Sequence, residues 1–242
     1  MKRAAFITST GRTGTWFLTK FINKEVENAV SYHEAQPHFK REGHKLRSRE
    51  AKFYEKLYFS IPRKYRQLKH KEKWYIETNY HLYAAIEMIR EVHNSPLIIH
   101  IIRDGREVVR SWLNKNRYIT NDHVLPYHIP GDPARSKWEK WNPLQKLSWF
   151  WVSVNQRAED SKPDLTLYYE NIFKADKNSD IFSILNQLEG TSYDRESVIN
   201  FFDKKINTNK NDFYPPYNEW PDHWKEQFLE IAEDTMKKHG YL

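Results

Sequence analysis

Leu97-Ile98-Ile99-His100-Ile101-Ile102 runs directly into Arg103-Asp104-Gly105-Arg106-Glu107-Val108-Val109-Arg110-Ser111. The first six residues form a near-continuous apolar run, the pattern of a strand buried on both faces of a parallel sheet. Val108, Val109, Trp112 and Leu113 then recur at helical spacing, so the segment joins a strand to a helix. Toward the N-terminus the same arrangement appears again. Ala4 to Ile7 reads as a short buried strand, Thr8-Ser9-Thr10-Gly11-Arg12-Thr13-Gly14-Thr15 as a loop, and Phe17, Leu18, Phe21 and Ile22 as a helix face.

The rest of the chain repeats this alternation. Ala29 to Tyr32 is expected to be a strand ending at His33-Glu34, and Trp74 to Glu77 another. Leu82, Ala85, Ile86 and Ile89 mark a helix face, as do Leu144, Leu147, Trp151 and Val154. Leu165 to Tyr169 reads as a further strand. Ile181, Ile184, Leu185 and Leu188 mark the next helix, and Asp222 to Lys238 is helical. Strands alternating with helices predict an α/β fold in three layers: a central parallel sheet flanked by helices, with a P-loop-like core. The 242 residues are read as one domain with helical or irregular insertions near 40–72 and 116–142. Ligands of such folds bind at the carboxyl ends of the strands.

Composition narrows the class. There is no cysteine, which excludes disulfides and thiolate metal sites. No apolar run approaches the roughly 20 residues that span a bilayer, and the apolar stretch after Met1-Lys2-Arg3 stops too early for a signal peptide. A cytoplasmic enzyme is the expectation. The net charge of +7 is concentrated: Lys40 to Lys73 holds 13 Lys/Arg against 4 Asp/Glu. Such a stretch suits an anionic partner. Taken alone it reads more simply as a solvated helix with Tyr54, Leu57, Tyr58 and Ile61 turned inward.

The loop between the first strand and its helix has the makings of a phosphate cradle. Gly11 and Gly14 permit close backbone approach, a helix N-terminus offers unpaired N–H groups, and Arg12 adds charge. Ser9, Thr10, Thr13 and Thr15 supply hydroxyls. A Walker A motif cannot be laid on it, and an ordinary strand-to-helix turn has a similar composition. The second motif adds what the first lacks. Arg103 stands at a strand end and Ser111 about two helical turns on, so a forked donor and a hydroxyl can converge on one phosphate. A surface Ser111, with Arg103 paired to Asp104 or Glu107, is the plainer alternative.

Together the two motifs resemble the sulfotransferase family that uses 3'-phosphoadenosine-5'-phosphosulfate (PAPS). Thr10-Gly11-Arg12-Thr13-Gly14-Thr15-Trp16 is similar to that family's 5'-phosphosulfate loop, and Arg103 to Ser111 to its 3'-phosphate motif. Leu167-Tyr168-Tyr169-Glu170-Asn171-Ile172 resembles the segment whose tyrosine lies near the adenine, which makes Tyr169 the counterpart. The similarity covers roughly residues 4–35, 95–112 and 165–240, and its carbohydrate and bacterial branches share Arg at the Arg12 position. It implies PAPS as donor, its 3',5'-bisphosphate (PAP) as product, no metal, and a hydroxyl or amine acceptor on a small molecule, lipid or carbohydrate. The family's cytosolic Lys-x-His segment is replaced here by Ile76-Glu77-Thr78-Asn79, which leaves the general base open. Glu34 is the first candidate, matching a glutamate of the glycan- and tyrosine-directed branches; His33 is its rival and Glu77 is third. In an extended segment Glu34 and His33 would point to opposite sides. Asn79 is a candidate for the acceptor or sulfate, and Lys205 to Lys210 for a loop over the 3'-phosphate. Trp138, Trp141, Trp149, Trp151 and Trp220 either line an acceptor pocket or fill the core. The acceptor stays unidentified, an anionic one being compatible with the basic stretch. A P-loop kinase or hydrolase, with Asp104 as its metal ligand, and a basic nucleic-acid-binding module are the alternatives; no nucleic acid is expected.

Overall fold

All five expected strands form and lie in one sheet. The structure is a computed structural model and describes residues 3–37, 53–115, 126, 129, 131–173, 179–203 and 213–242. The strands are β1 (Ala4–Ser9), β2 (Ala29–His33), β3 (Trp74–Thr78), β4 (Leu97–Ile102) and β5 (Leu165–Tyr168). Their order is β2-β3-β1-β4-β5, and every pairing is parallel. The register sets Ile7 beside Thr78 on one side and Ile99 on the other. The loop after β1, His33-Glu34, Asn79, Arg103 and Tyr169 therefore all leave the sheet at one edge. The chain departs from β1 toward β2 and from β4 toward β5, so the crevice between β1 and β4 is the topological switch point.

Helices cover both faces: α1 (Thr15–Glu25), α2 (Phe53–Lys69), α3 (Ile86–Val92), α4 (Gly105–Asn114), α5 (Pro143–Asp160), α6 (Tyr169–Phe173), α7 (Ser179–Gln187), α8 (Arg195–Asp203) and α9 (Asp222–Lys238). On one face, Ile7, Ile76, Ile99 and Leu167 pack under Phe21 of α1, Leu185 of α7 and Phe202 of α8. On the other, Phe6, Tyr75 and Ile98 meet Phe59 of α2 and Ile86 and Ile89 of α3. Val108, Leu147 and Phe228 join α4, α5 and α9 beside them. The fold is three-layered α/β with an all-parallel sheet.

Local chemistry starts the helices where they are needed. Asn142 and Gln145 exchange side-chain and backbone hydrogen bonds of 3.0 and 3.1 Å, a capping box that with Pro143 at the first helical position fixes the start of α5. Asp104 caps α4 by accepting from the Arg106 N–H at 2.9 Å. Elsewhere the expected bounds shift. The stretch from Leu82 is broken into a 3₁₀ turn, Leu82–Ala84, and α3. Strand β5 stops at Tyr168, and Tyr169 opens α6. Trp138, Trp149, Trp151 and Trp220 are buried in the core.

The basic helix α2 is turned over relative to the sequence expectation. Leu57, Tyr58 and Ile61 face outward, whereas Phe59 and Arg63 face the sheet; Tyr54's side chain lies outside the described residues. The cause is on β3. Glu77 is fully buried, and a buried carboxylate needs a counter-charge. Arg63 supplies it, with Nε and Nη2 donating to Glu77 Oε2 and Oε1 at 2.8 and 2.9 Å. Its Nη1 and Nη2 also reach the carbonyls of Phe59 and Ala35 at 3.0 Å each. Among the described residues, no helix is long and apolar enough to cross a membrane.

Candidate functional site

The loop after β1 is folded around Ser9. Its hydroxyl oxygen accepts from the Gly11 N–H at 3.1 Å and from Thr13 Oγ1 at 2.7 Å. Gly11, Arg12 and Gly14 all have left-handed backbone, with φ of 75°, 58° and 70°. The glycines have a second reason to be glycines. A Cβ on Gly11 would sit 2.7 Å from Trp112 Cζ2, and one on Gly14 2.5 Å from Phe173 Cζ. The close approach expected of them is thus also made to the protein's own aromatic rings. No side chain caps α1 at Gly14 and its first turn holds no acidic residue, so the positive dipole end is not offset by a side chain there. Thr10, Thr13 and Thr15 are buried in the loop, while Trp16 lies outside it, nearly half-exposed beneath Lys20 Nζ at 3.6 Å.

The two sequence motifs meet across this crevice. Arg12 Nε donates to Ser111 Oγ at 2.8 Å, although 99 residues separate them. Arg103 Nη1 donates to the Arg12 carbonyl at 2.5 Å. Arg12 therefore turns toward the Arg103–Ser111 pair rather than back over its own loop. Arg103 stacks its guanidinium 4.2 Å from the Tyr169 ring centre and stands 3.6 Å from Glu107. Its carbonyl accepts from Trp151 Nε1 at 3.0 Å, and its Nε is buried without a hydrogen-bond partner. Tyr169 is a half-buried helix residue rather than a strand tyrosine, stacked between Arg103 and Phe173. Glu170 next to it accepts from the Asp104 N–H and from Tyr241 Oη at 3.2 and 2.8 Å, which raises the Tyr241 phenol pKa further beyond the effect of its burial.

Asp104 is committed elsewhere. Arg106 holds both its oxygens at 2.6–3.0 Å in a forked pair, so it is poorly placed to ligate a metal. Among the described residues, no three His, Asp or Glu side chains gather as a metal site.

The candidate bases lie at the ends of β2 and β3. The sequence expectation put His33 and Glu34 on opposite sides of an extended segment, and here the structure corrects it. Glu34 has left-handed backbone, φ 47°, with its N–H donating to the Thr78 carbonyl at 2.9 Å. That turn swings its carboxylate round to 3.7 Å from His33 Nε2. The other ring nitrogen, Nδ1, is 2.9 Å from Thr78 Oγ1. Thr78 gives its single proton to the Thr15 carbonyl at 3.1 Å, and Thr19 Oγ1 lies 2.8 Å away while itself accepting from Ser31 at 3.2 Å. Thr78 Oγ1 must then accept from both Thr19 and His33. His33 is thereby held with its proton on Nδ1 and its lone pair on Nε2, toward Glu34. Burial lowers its pKa below 6.5, with Glu34 acting in the opposite direction.

Glu77, the third candidate, is excluded by its surroundings. It is locked against Arg63 and accepts from Tyr75 Oη at 3.0 Å, which together with burial raises that phenol pKa. Asn79 is likewise spent internally: its Oδ1 accepts from the His81 N–H at 3.0 Å and its Nδ2 reaches Glu77 at 3.4 Å. Lys205 to Lys210 lie outside the described residues. The sequence reading missed Thr78, Thr19 and Ser31, whose only signal is a hydroxyl in each of three buried elements. It also missed Arg63, hidden in a run of similar charges. No protein-family model matches the chain, and no curated protein matches it.

Proposed function

We propose that the chain is a sulfotransferase that moves a sulfuryl group from PAPS to an acceptor hydroxyl or amine. One observation carries the reading: Arg12, Arg103 and Ser111 are hydrogen-bonded into one cluster across the β1–β4 crevice. A nucleotide phosphorylated at both its 3' and 5' ends calls for two anion sites a nucleoside apart. The uncapped start of α1 suits the 5' end, and Arg103 with Ser111 suits the 3'-phosphate. The buried Arg103 Nε still lacks an acceptor, and the Tyr169 ring lies against that guanidinium at the border of the crevice.

Transfer is an in-line displacement in which the acceptor oxygen bonds to sulfur as the bond from sulfur to the 5'-phosphate oxygen breaks. The loop N–H groups stabilise charge growing on the departing phosphate, and Arg12, held against Ser111, adds positive charge to the crevice between the two phosphates. The acceptor's proton passes to the His33–Glu34 pair. His33 Nε2 receives it and the neighbouring carboxylate stabilises the imidazolium. The acceptor class stays wide: small molecule, lipid or carbohydrate.

PAP is the test ligand. Saturating PAP should raise the melting temperature and give a measurable heat of binding; the absence of both overturns the reading. Glu34→Gln should lower turnover while leaving PAP affinity intact. With His33 as the acceptor of the proton, kcat/KM should fall on acidification with a midpoint below 6.5, and a midpoint above that value would remove His33 from the role.

A further inference from the structure

Helix α2 exposes a face that nothing among the described residues covers. Leu57, Tyr58, Ile61, Tyr65 and Leu68 are 37%, 62%, 58%, 66% and 62% exposed. With about 100° per residue these five fall within an arc of roughly 100°, the three aliphatic side chains together and the two tyrosines at one border. The opposite side of the same helix carries Phe59, Ser60 and Arg63 into the protein. The helix is thus amphipathic with its apolar stripe pointing outward, against the direction that folding alone would choose.

The charges around the stripe are predominantly basic. Helix α2 and the turn after it, Phe53 to Lys73, hold seven Lys/Arg against Glu55 and Glu72. Arg63 is consumed by Glu77, Lys56 lies 3.4 Å from Glu91, and Arg66 packs 5.6 Å over the Tyr32 ring. Lys64 and Lys69 remain, one along each border of the stripe, and exposed Lys71 and Lys73 follow the helix end, with Glu72 between them 3.7 Å from Arg3.

We infer that α2 is a docking surface for an anionic lipid bilayer, lying in the plane of the headgroups with Leu57, Ile61 and Leu68 inserted. Aliphatic residues in the centre, tyrosines at the border and lysines outside them match the depth profile of that interface, where lysine stems cover apolar surface and the ammonium stays with lipid phosphate. A second copy of the chain fits less well. A two-fold contact sets each stripe on its own equivalent, which brings predominantly basic borders together with few acids to offset them. The inference rests on the helix alone and is independent of the nucleotide reading.

Sedimentation with vesicles tests it on the full chain. The protein should bind phosphatidylcholine vesicles that contain phosphatidylserine, bind pure phosphatidylcholine vesicles far less, and be released by salt. Replacing Ile61 and Leu68 together by Ser should weaken binding at least about tenfold. Replacing Lys69 and Lys71 by Gln should weaken it about fivefold per charge, as expected near an anionic surface. All these side chains are on the outer face of the helix or beyond its end, so melting temperatures should hold. The charge pair tests the idea separately from the apolar pair. Absence of binding to the anionic vesicles, or binding indifferent to the Ser substitutions, overturns the inference. So does a concentration-dependent dimer abolished by the same Ser substitutions, which assigns the face to a second copy. Retention on RNA with no retention on vesicles overturns it as well.

Discussion

The two halves of the sheet carry their polar residues in opposite ways. On the β1–β4–β5 side, Arg12, Arg103, Ser111 and Tyr169 are half-buried and reach toward a crevice open at the strand ends. On the β2–β3 side, Glu77 and Arg63 satisfy each other inside the protein, and His33 is wired to Thr78, Thr19 and Ser31. The first half bonds its donors to one another at the strand ends and leaves Arg103 Nε without a partner. The second half pairs its buried Glu77 and His33 inside the protein, although Ser60 Oγ and Arg66 Nη1 on the covering helix stay without partners. Charges of the first kind should matter for binding, and charges of the second kind for stability.

Substitutions can break that contrast. Arg63→Ala strands Glu77 as a buried charge and should cost about 3–5 kcal/mol in denaturant unfolding, with Glu77→Gln in the same background recovering part of it. A loss no larger than that of Arg103→Ala would end the distinction. Acid should reveal the burial of two histidines, His93 at the end of α3 and His100 on β4. Burial holds His93 and His100 at about 4, below the ordinary 6.5. The unfolded chain therefore binds more protons between these values, so stability falls as pH drops from 6.5 toward 4, by a few kcal/mol in all. Urea midpoints across that window check it, and a flat profile would contradict it.

Gly14→Ala joins a left-handed φ to a Cβ 2.5 Å from Phe173 and should cost about 1–3 kcal/mol, because ring and loop must both shift. Arg103→Ala is the converse case. It should leave the melting temperature nearly unchanged and weaken PAP about ten- to hundredfold by calorimetry, the range for a charge-assisted contact. Smallest of all, Lys20→Ala removes only an exposed contact over Trp16 and should cost about 0.5 kcal/mol.

Much of the β1–β4–β5 half was legible because its signals are local. A strand of six apolar residues ending in Arg, or a glycine pair before a helix, can be read within a dozen positions. The β2–β3 half depends on meetings between distant segments. His33 and Glu34 follow alternation in sequence, yet Glu34's left-handed turn, anchored on the Thr78 carbonyl, brings both to one place. Periodicity marks a helix at Leu57, Tyr58 and Ile61 and implies an inward apolar face. Glu77 reverses it, since a buried carboxylate needs Arg63 more than the core needs three more apolar side chains.

The sequence by itself determined the five strands, the alternation that makes the sheet parallel, and the two motifs at the ends of β1 and β4. These follow from hydrophobic period and from backbone chemistry that acts over a few residues. Only the tertiary structure decided that Arg12 bonds to Ser111, that Thr78 fixes the His33 tautomer, and that α2 turns its apolar stripe outward. Each of those turns on which partner satisfies a buried polar group, and that partner lies 14 to 99 residues away along the chain.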